Sequence, residues 1–192
     1  MSVSVPASSH YSRALEEFAA MDWRRGLQIE EIGSPQRIAP YSIALEGELT
    51  SGAAPVSSGR FILLHDPLGN DAWQGTFRIV SYARAAVDLE MVADPLLPEV
   101  AWSWLTDALG REKCAARTLA GTVTASYGRS FGQMNSEADR GEVEVRASWT
   151  PTLDDHHSVV DHLFAWQDLL CLLGGEPPAS SGVTSLMERI RR

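Results

Sequence analysis

A chain of 192 residues is long enough to bury a hydrophobic core, and its length predicts a single domain. Apolar residues make up 44% of the chain and charged residues 21%, which excludes a disordered protein. The 25 acidic and 16 basic side chains leave a net charge of −9, which argues against binding to nucleic acid or to an anionic membrane.

The N-terminal part of the chain predicts a loose leader over residues 1–9 and then a helix. Apolar residues recur at helical spacing over 11–19, and Ser9 or Ser12 is the expected N-cap of a helix that ends near Trp23. The leader lacks the charged and apolar regions of a signal peptide, and no apolar run approaches membrane-spanning length. We therefore expect a cytoplasmic protein that does not enter a membrane.

Five stretches have the composition and alternation of β-strands: 41–49, 59–66, 76–90, 118–127 and 142–149. Residues 50–58 are small and are expected to form a loop, and residues 66–69 carry the residue types of a turn. The long polar segment 128–141 is expected to be a hairpin loop.

Two further helices are predicted. An apolar stripe over 100–109, which includes Val100, follows Pro98 and stops at Gly110. The last helix covers about 155–173, and its buried seam steps by three and four residues through Val159, Leu163, Trp166, Leu170 and Leu173. The side of this helix opposite the seam, which includes Asp168, is expected to face solvent.

The predicted element order is α-βββ-α-ββ-α within one domain over 10–175. It is followed by a tail over 176–192 that contains Pro, Ser and Gly and a short helix-like stretch at 185–192. This order predicts a two-layer α+β fold, with a five-stranded, mainly antiparallel sheet and helices mostly on one face. The same element order occurs in type III secretion chaperones, so we expect a chaperone-like topology, although a shared fold does not establish a function.

Several stretches resemble an actinobacterial domain-of-unknown-function family, number three thousand in that series: 35–41, 64–78, 94–105, 146–151 and 165–171. The resemblance covers roughly residues 15–175. It implies a small cytoplasmic actinobacterial protein with no established activity, so no catalytic residue can be transferred from the family.

One candidate site lies where a predicted strand ends, at His65 and Asp66 with Trp73 nearby. A histidine beside carboxylates could carry out acid–base chemistry or bind a small molecule, with Arg78 at the rim of the pocket. No nucleophile motif or phosphate-binding loop accompanies it. The alternative interpretation is that residues 66–69 shape a turn and that His65 packs or caps.

A second candidate is the polar cluster over 154–162, where His157 and Asp161 share a helix face and could bind a metal together with His156. The histidines do not converge on one side of the helix, so an ordinary helix cap is the favoured alternative. The two cysteines, Cys114 and Cys171, have neither zinc-site nor disulfide spacing and are expected to be buried thiols.

The favoured hypothesis is a non-enzymatic protein–protein interaction module, adaptor-like or chaperone-like, with no cofactor and with a homodimer left open. The candidate contact residues are Arg78 and Arg84 on the polar sheet face, Leu96 and Leu97 in an exposed turn, and Trp102 at the border of a helix stripe. A small-molecule site or enzyme at His65 is the second hypothesis, and a metal site is the third.

Overall fold

An antiparallel sheet of six strands forms one layer of this α+β fold, in the spatial order β1-β2-β3-β4-β6-β5. The computed structural model describes residues 6–35 and 37–178. The strands are β1 (Leu27–Ile32), β2 (Tyr41–Ser51), β3 (Ala54–Asn70), β4 (Gly75–Val87), β5 (Ala116–Gly128) and β6 (Arg140–Pro151). Four helices form the second layer: α1 (Ser9–Ala20), α2 (Leu89–Val92), α3 (Leu97–Arg111) and α4 (Val159–Leu173).

Strand alternation directs one set of side chains into the core beneath the helices. Phe61, Leu63, Ile79 and Val145 are fully buried on this helix-facing side. Helix α4 approaches the sheet closely at Gly59, where a Cβ atom would lie 2.9 Å from Leu170 Cδ2. The absence of a side chain at this position therefore determines how near α4 can lie to the sheet.

Helix α4 carries the predicted seam, and all five seam residues are buried. It is also buried on its far side, because α1 and α3 both pack against it. Asp168 was expected to face solvent, but it is 1% exposed and accepts a hydrogen bond from Arg111 Nη2 on α3 at 3.0 Å. The neighbouring helix, which the pattern on α4 alone does not reveal, explains this difference.

The sheet has one strand more than the five predicted, because β1 precedes the first predicted strand. β1 pairs with β2 over six residues, from Leu27 opposite Leu49 to Ile32 opposite Ala44. Two consecutive exposed glutamates, Glu30 and Glu31, interrupt its alternation. A short edge strand is buried on fewer sides than a central one, so its period-two signal is weak.

Strand β3 is longer than predicted and takes in both the expected turn at 66–69 and most of the expected loop at 50–58. The turn chemistry is present within the strand, since Leu68 N donates to Asp66 Oδ1 at 3.0 Å. It produces an irregularity, because the register with β4 shifts between His65 and Asn70. The chain reverses instead at 52–53 and at 71–74.

Helix boundaries differ from the prediction by a few residues. Ser8, rather than Ser9 or Ser12, caps α1, and that helix ends at Ala20 instead of near Trp23. Helix α4 begins at Val159, because the residues before it form a separate capping loop. The predicted terminal helix at 185–192 lies outside the described residues.

Candidate functional site on the open sheet face

The helices pack on one face of the sheet, and the described residues place no helix on the other, which we call the open face. Side chains of paired strands form cross-strand rows on this face. The first row is mainly apolar and runs Ala44, Ile62, Val80, Ser148, Ala120. The second runs Glu46, Arg60, Tyr82, Arg146, Thr122, and the third Glu48, Ser58, Arg84, Glu144, Thr124.

A depression, which we call the trough, crosses the middle of the open face. One hollow of about 430 Å³ is lined by Ile62, Val80 and Tyr82 together with Glu46 and three arginines, Arg60, Arg84 and Arg146. A neighbouring hollow of about 570 Å³ shares Val80, Tyr82 and Arg146 and extends over β5 to Ala120 and Thr122. The trough therefore has an apolar floor with cations along one side.

Two of the trough arginines are held by ion pairs with glutamates. Arg60 Nη2 lies 3.0 Å from Glu46 Oε1, and Arg146 Nε lies 2.6 Å from Glu144 Oε1. The Arg60 pair is exposed on both sides, and such pairs are worth roughly 0–1 kcal/mol, so a carboxylate from another molecule can replace Glu46 at little cost. The Glu144 side chain is only 18% exposed, so Arg146 is held more firmly.

Tyr82 lies at the centre of the trough, and the Arg146 guanidinium lies over its ring at 5.6 Å from the centroid. Burial, followed by a hydrogen bond with Glu144, raises the pKa of the Tyr82 phenol. The hydroxyl therefore stays protonated at neutral pH and donates its one proton to Glu144.

Arg78 lies at one end of the open face and is hydrogen-bonded to residues of the neighbouring strands. Its Nη1 donates to the Oγ1 of Thr118 at 2.7 Å and of Thr150 at 3.1 Å, and its Nη2 donates to Ser148 Oγ at 2.7 Å. Thr118 has a φ of 49°, strained for a β-branched residue, and it lies where the β5 register shifts. Arg78 thus ties β4, β5 and β6 together, and fewer of its donors are free for a partner.

Trp73 lies at the same end and belongs to a second, smaller apolar cluster. It is buried with Ala39 and Leu64, and Ile62 and Val80 pack against this cluster. The trough floor is therefore continuous with Trp73 through two residues of the apolar row.

His65 faces the opposite side of the sheet, beneath α1, and is 1% exposed. Its Nε2 accepts from Ser8 N at 3.2 Å, and its Nδ1 lies 3.0 Å from Thr76 O, which fits an Nδ1–H donor. The ring is stacked against Phe77 and Tyr11, with centroids 4.3 and 5.2 Å away. Burial lowers the pKa of His65, so this histidine is a neutral core residue with both ring nitrogens in use.

The structure consequently does not bring the three predicted ligand-site residues together. His65 lies on the helix-facing side, Asp66 caps a turn within β3, and Trp73 lies in the cluster at the open face. His65 and Asp66 instead have the roles of the alternative interpretation, in which Asp66 shapes a turn and His65 packs in the core.

The predicted metal residues also have structural roles. His157 Nδ1 lies 2.8 Å from Asp154 Oδ1, and that carboxylate also accepts from the backbone N of His156 and His157. Burial, followed by the charge of Glu17, raises the pKa of Asp161. Over residues 6–35 and 37–178, no group of three or more His, Cys, Asp or Glu side chains could hold a metal ion.

The predicted contact residues on α3 and before it are placed differently from one another. Leu96 is 57% exposed, but Leu97 is 5% exposed and belongs to the core, so the expected exposed pair is reduced to one leucine. Val100, expected in the buried stripe, is 42% exposed. Trp102 is half-buried and lies against Gly121 of β5, where a Cβ atom would lie 2.7 Å from its Cζ3.

Sequence reasoning missed Arg60, Ile62 and Val80 as members of one surface. Strand alternation contains the signal that could have found them. Each of the three residues is next to a buried residue in its strand, so its side chain points to the other face of the sheet, the open face. The pairing register, which places the three residues in adjacent rows, needed the structure.

Comparisons with known proteins place the chain in a family but add no activity. No curated protein and no solved structure matches it. Within the described residues, no helix is both long and apolar enough to cross a membrane. The family model described as "Protein of unknown function (DUF3000)" matches residues 7–184, which is nearly the whole chain. The chain therefore belongs to the DUF3000 family.

Proposed function

We propose that this protein is a non-enzymatic interaction module, adaptor-like or chaperone-like, that receives an acidic segment of another protein in the trough. The observation that carries the proposal is the open sheet face itself. A half-buried apolar floor at Ile62, Val80 and Tyr82 lies beside Arg60 and Arg146, with no helix over it among the described residues. Apolar surface that is rimmed by polar groups and left uncovered is typical of binding sites.

The chemistry of the trough defines the segment that it fits. Apolar side chains of the partner would lie on the first row, and its carboxylates would pair with Arg60, Arg84 and Arg146 in place of the local glutamates. Tyr82 would exchange its hydrogen bond with Glu144 for one to a backbone or carboxylate oxygen of the segment. An aromatic residue and an arginine at the centre of a surface are the residue types that most often dominate binding energy.

The chaperone-like topology belongs to this proposal. It is supported by the one-sided helix layer and by the order of α1, a run of strands, α3, β5, β6 and α4. The six-stranded sheet adds β1, so the proposed likeness concerns β2–β6 and the helices.

The proposal is tested by photo-crosslinking in cells that express the protein naturally. A photoreactive phenylalanine at Tyr82 is compared with one at Leu15, which is exposed on α1 in the opposite layer. We expect one dominant crosslinked species at position 82 and none at 15, and we expect Arg60→Glu with Arg146→Glu to remove it. The control reversal Arg25→Glu, at an exposed loop residue, should leave it intact. No product at position 82, or a product insensitive to the arginine reversals, would contradict the proposal.

A further inference from the structure

The two edges of the sheet differ in how well they are protected against pairing. β1 is six residues long and carries Glu30 and Glu31, which are both exposed. β5 is thirteen residues long, and its stretch from 120 to 128 contains no charged residue and no proline. Natural proteins protect edge strands by making them short or by placing charges or prolines on them. β1 has such protection and this part of β5 has none.

The free edge of β5 presents backbone groups to solvent. Within the described residues, β5 pairs with β6 alone, while α2 and α3 contact it from the helix-facing side. The N–H and C=O groups that point away from β6 are therefore available for another strand.

We propose that β5 pairs antiparallel with β5 of a second copy of this chain, about a twofold axis at Thr124. Thr124 is the centre of residues 120–128, the part of β5 that follows its register shift, so this register places Thr124 opposite Thr124 of the second copy. It also places Thr122 opposite Ser126 and Ala120 opposite Gly128. Every residue in these pairs is small and uncharged, and antiparallel pairing of identical strands gives a closed dimer.

The choice of a second copy, rather than an unrelated strand, rests on a complementary pair at the ends of the stretch. The register places Tyr127, which is 52% exposed and donates its hydroxyl to Asp139, opposite Gly121 of the second copy. The Trp102 ring occupies the place of the missing Gly121 side chain, since a Cβ atom there would lie 2.7 Å from Trp102 Cζ3. The Tyr127 ring would therefore pack against Trp102 of the second copy, and this contact occurs twice.

The test is the oligomeric state of the full chain by sedimentation equilibrium, with Thr124→Glu compared with Gln28→Glu. Thr124 lies opposite Glu144 in β6, and Gln28 lies opposite Glu48 in β2. Each variant therefore places a new carboxylate beside an existing one within its own chain, Thr124→Glu at the β5 edge of the sheet and Gln28→Glu at the β1 edge. Only Thr124→Glu also sets two carboxylates against each other across the proposed axis.

We expect a wild-type dimer, an unchanged dimer for Gln28→Glu, and a dissociation constant raised at least about tenfold for Thr124→Glu. Mixing Thr124→Glu with Thr124→Lys should restore a mixed dimer, since opposite charges then meet at the axis. Circular dichroism verifies that both variants are folded. A monomeric wild type would overturn the proposal and leave the edge to a strand of another protein. A dimer that survives Thr124→Glu, or that Gln28→Glu disrupts equally, would overturn it too.

Discussion

Lowering the pH should destabilise this protein through His162, well before its carboxylates are protonated. His162 is 1% exposed, and its Nδ1 accepts a hydrogen bond from Trp149 Nε1 at 3.1 Å. A proton on Nδ1 would set two donors against each other in a buried site. Burial, and then the charge of His157, lower the pKa of His162 to about 4 from an ordinary value of 6.5.

The size and the sign of the effect follow from proton linkage. The unfolded chain binds a proton near pH 6.5 and the folded chain near pH 4, so the stabilisation is complete above pH 6.5 and is lost as the pH falls. At 1.36 kcal/mol per pH unit, about 2 kcal/mol is lost by pH 5 and about 3 kcal/mol by pH 4. His65, whose pKa is also lowered by burial, adds to the loss. Asp161, whose pKa burial raises, opposes it.

The assay is urea unfolding at pH 7, 6 and 5 for the wild type, His162→Asn and His156→Asn. The His162→Asn variant keeps an acceptor near Nδ1 but cannot be protonated. We expect it to be less stable at pH 7 and to lose about 2 kcal/mol less than the wild type between pH 7 and 5. The exposed His156 provides the control, and its variant should follow the wild type. Parallel losses for the wild type and His162→Asn would refute the reasoning.

Three further results are expected. Gly59→Ala should lower the free energy of unfolding, measured in urea, by about 1–3 kcal/mol, because its Cβ would lie 2.5 Å from a backbone oxygen of the next strand. Gly33→Ala is the control, and it should change that free energy little because no atom lies within 4 Å of its Cβ position. Burial raises the pKa of the Cys114 thiol to about 12 and also raises that of Cys171, so a thiol reagent at pH 8 should label neither in the folded protein and both in urea. Trp149→Phe, which removes the donor of the buried histidine bond, should destabilise by about 1–3 kcal/mol in thermal unfolding.

The sequence was most informative where burial follows one period along a whole element. The α4 seam was predicted residue by residue, because three- and four-residue steps have one geometric interpretation. It was least informative where one element covers another. Asp168 carries a charge on the face away from the seam, and only the packing of α3 explains its burial.

Local turn chemistry was recognised but its consequence was not. The side chain of Asp66 forms the expected bond to Leu68 N, yet the strand continues, because the pairing partners on β2 and β4 determine whether a turn becomes a hairpin or an irregularity. The same limit applied to the candidate site at His65. Strand alternation already predicts that His65 shares a face with Phe61, but it does not show that α1 covers that face.

The distribution of charge connects the trough with the net charge of the chain. From β2 to β5 the three cross-strand rows contain three arginines and three glutamates, so this part of the open face is neutral while the chain carries −9. Glu30 on β1 continues the second row and adds a negative charge at its edge. An acidic segment is therefore repelled by most of the surface and tolerated here, where apolar contact and the arginines can hold it. Because charges are screened beyond about 8 Å at physiological salt, this local balance, rather than the net charge, governs contact at the trough. Added salt should reduce the repulsion between an acidic partner and the net negative charge of the whole molecule. It should also weaken the pairing of the partner with Arg60 and Arg146. Because the two effects oppose each other, the affinity should depend less steeply on salt than three new ion pairs alone would require.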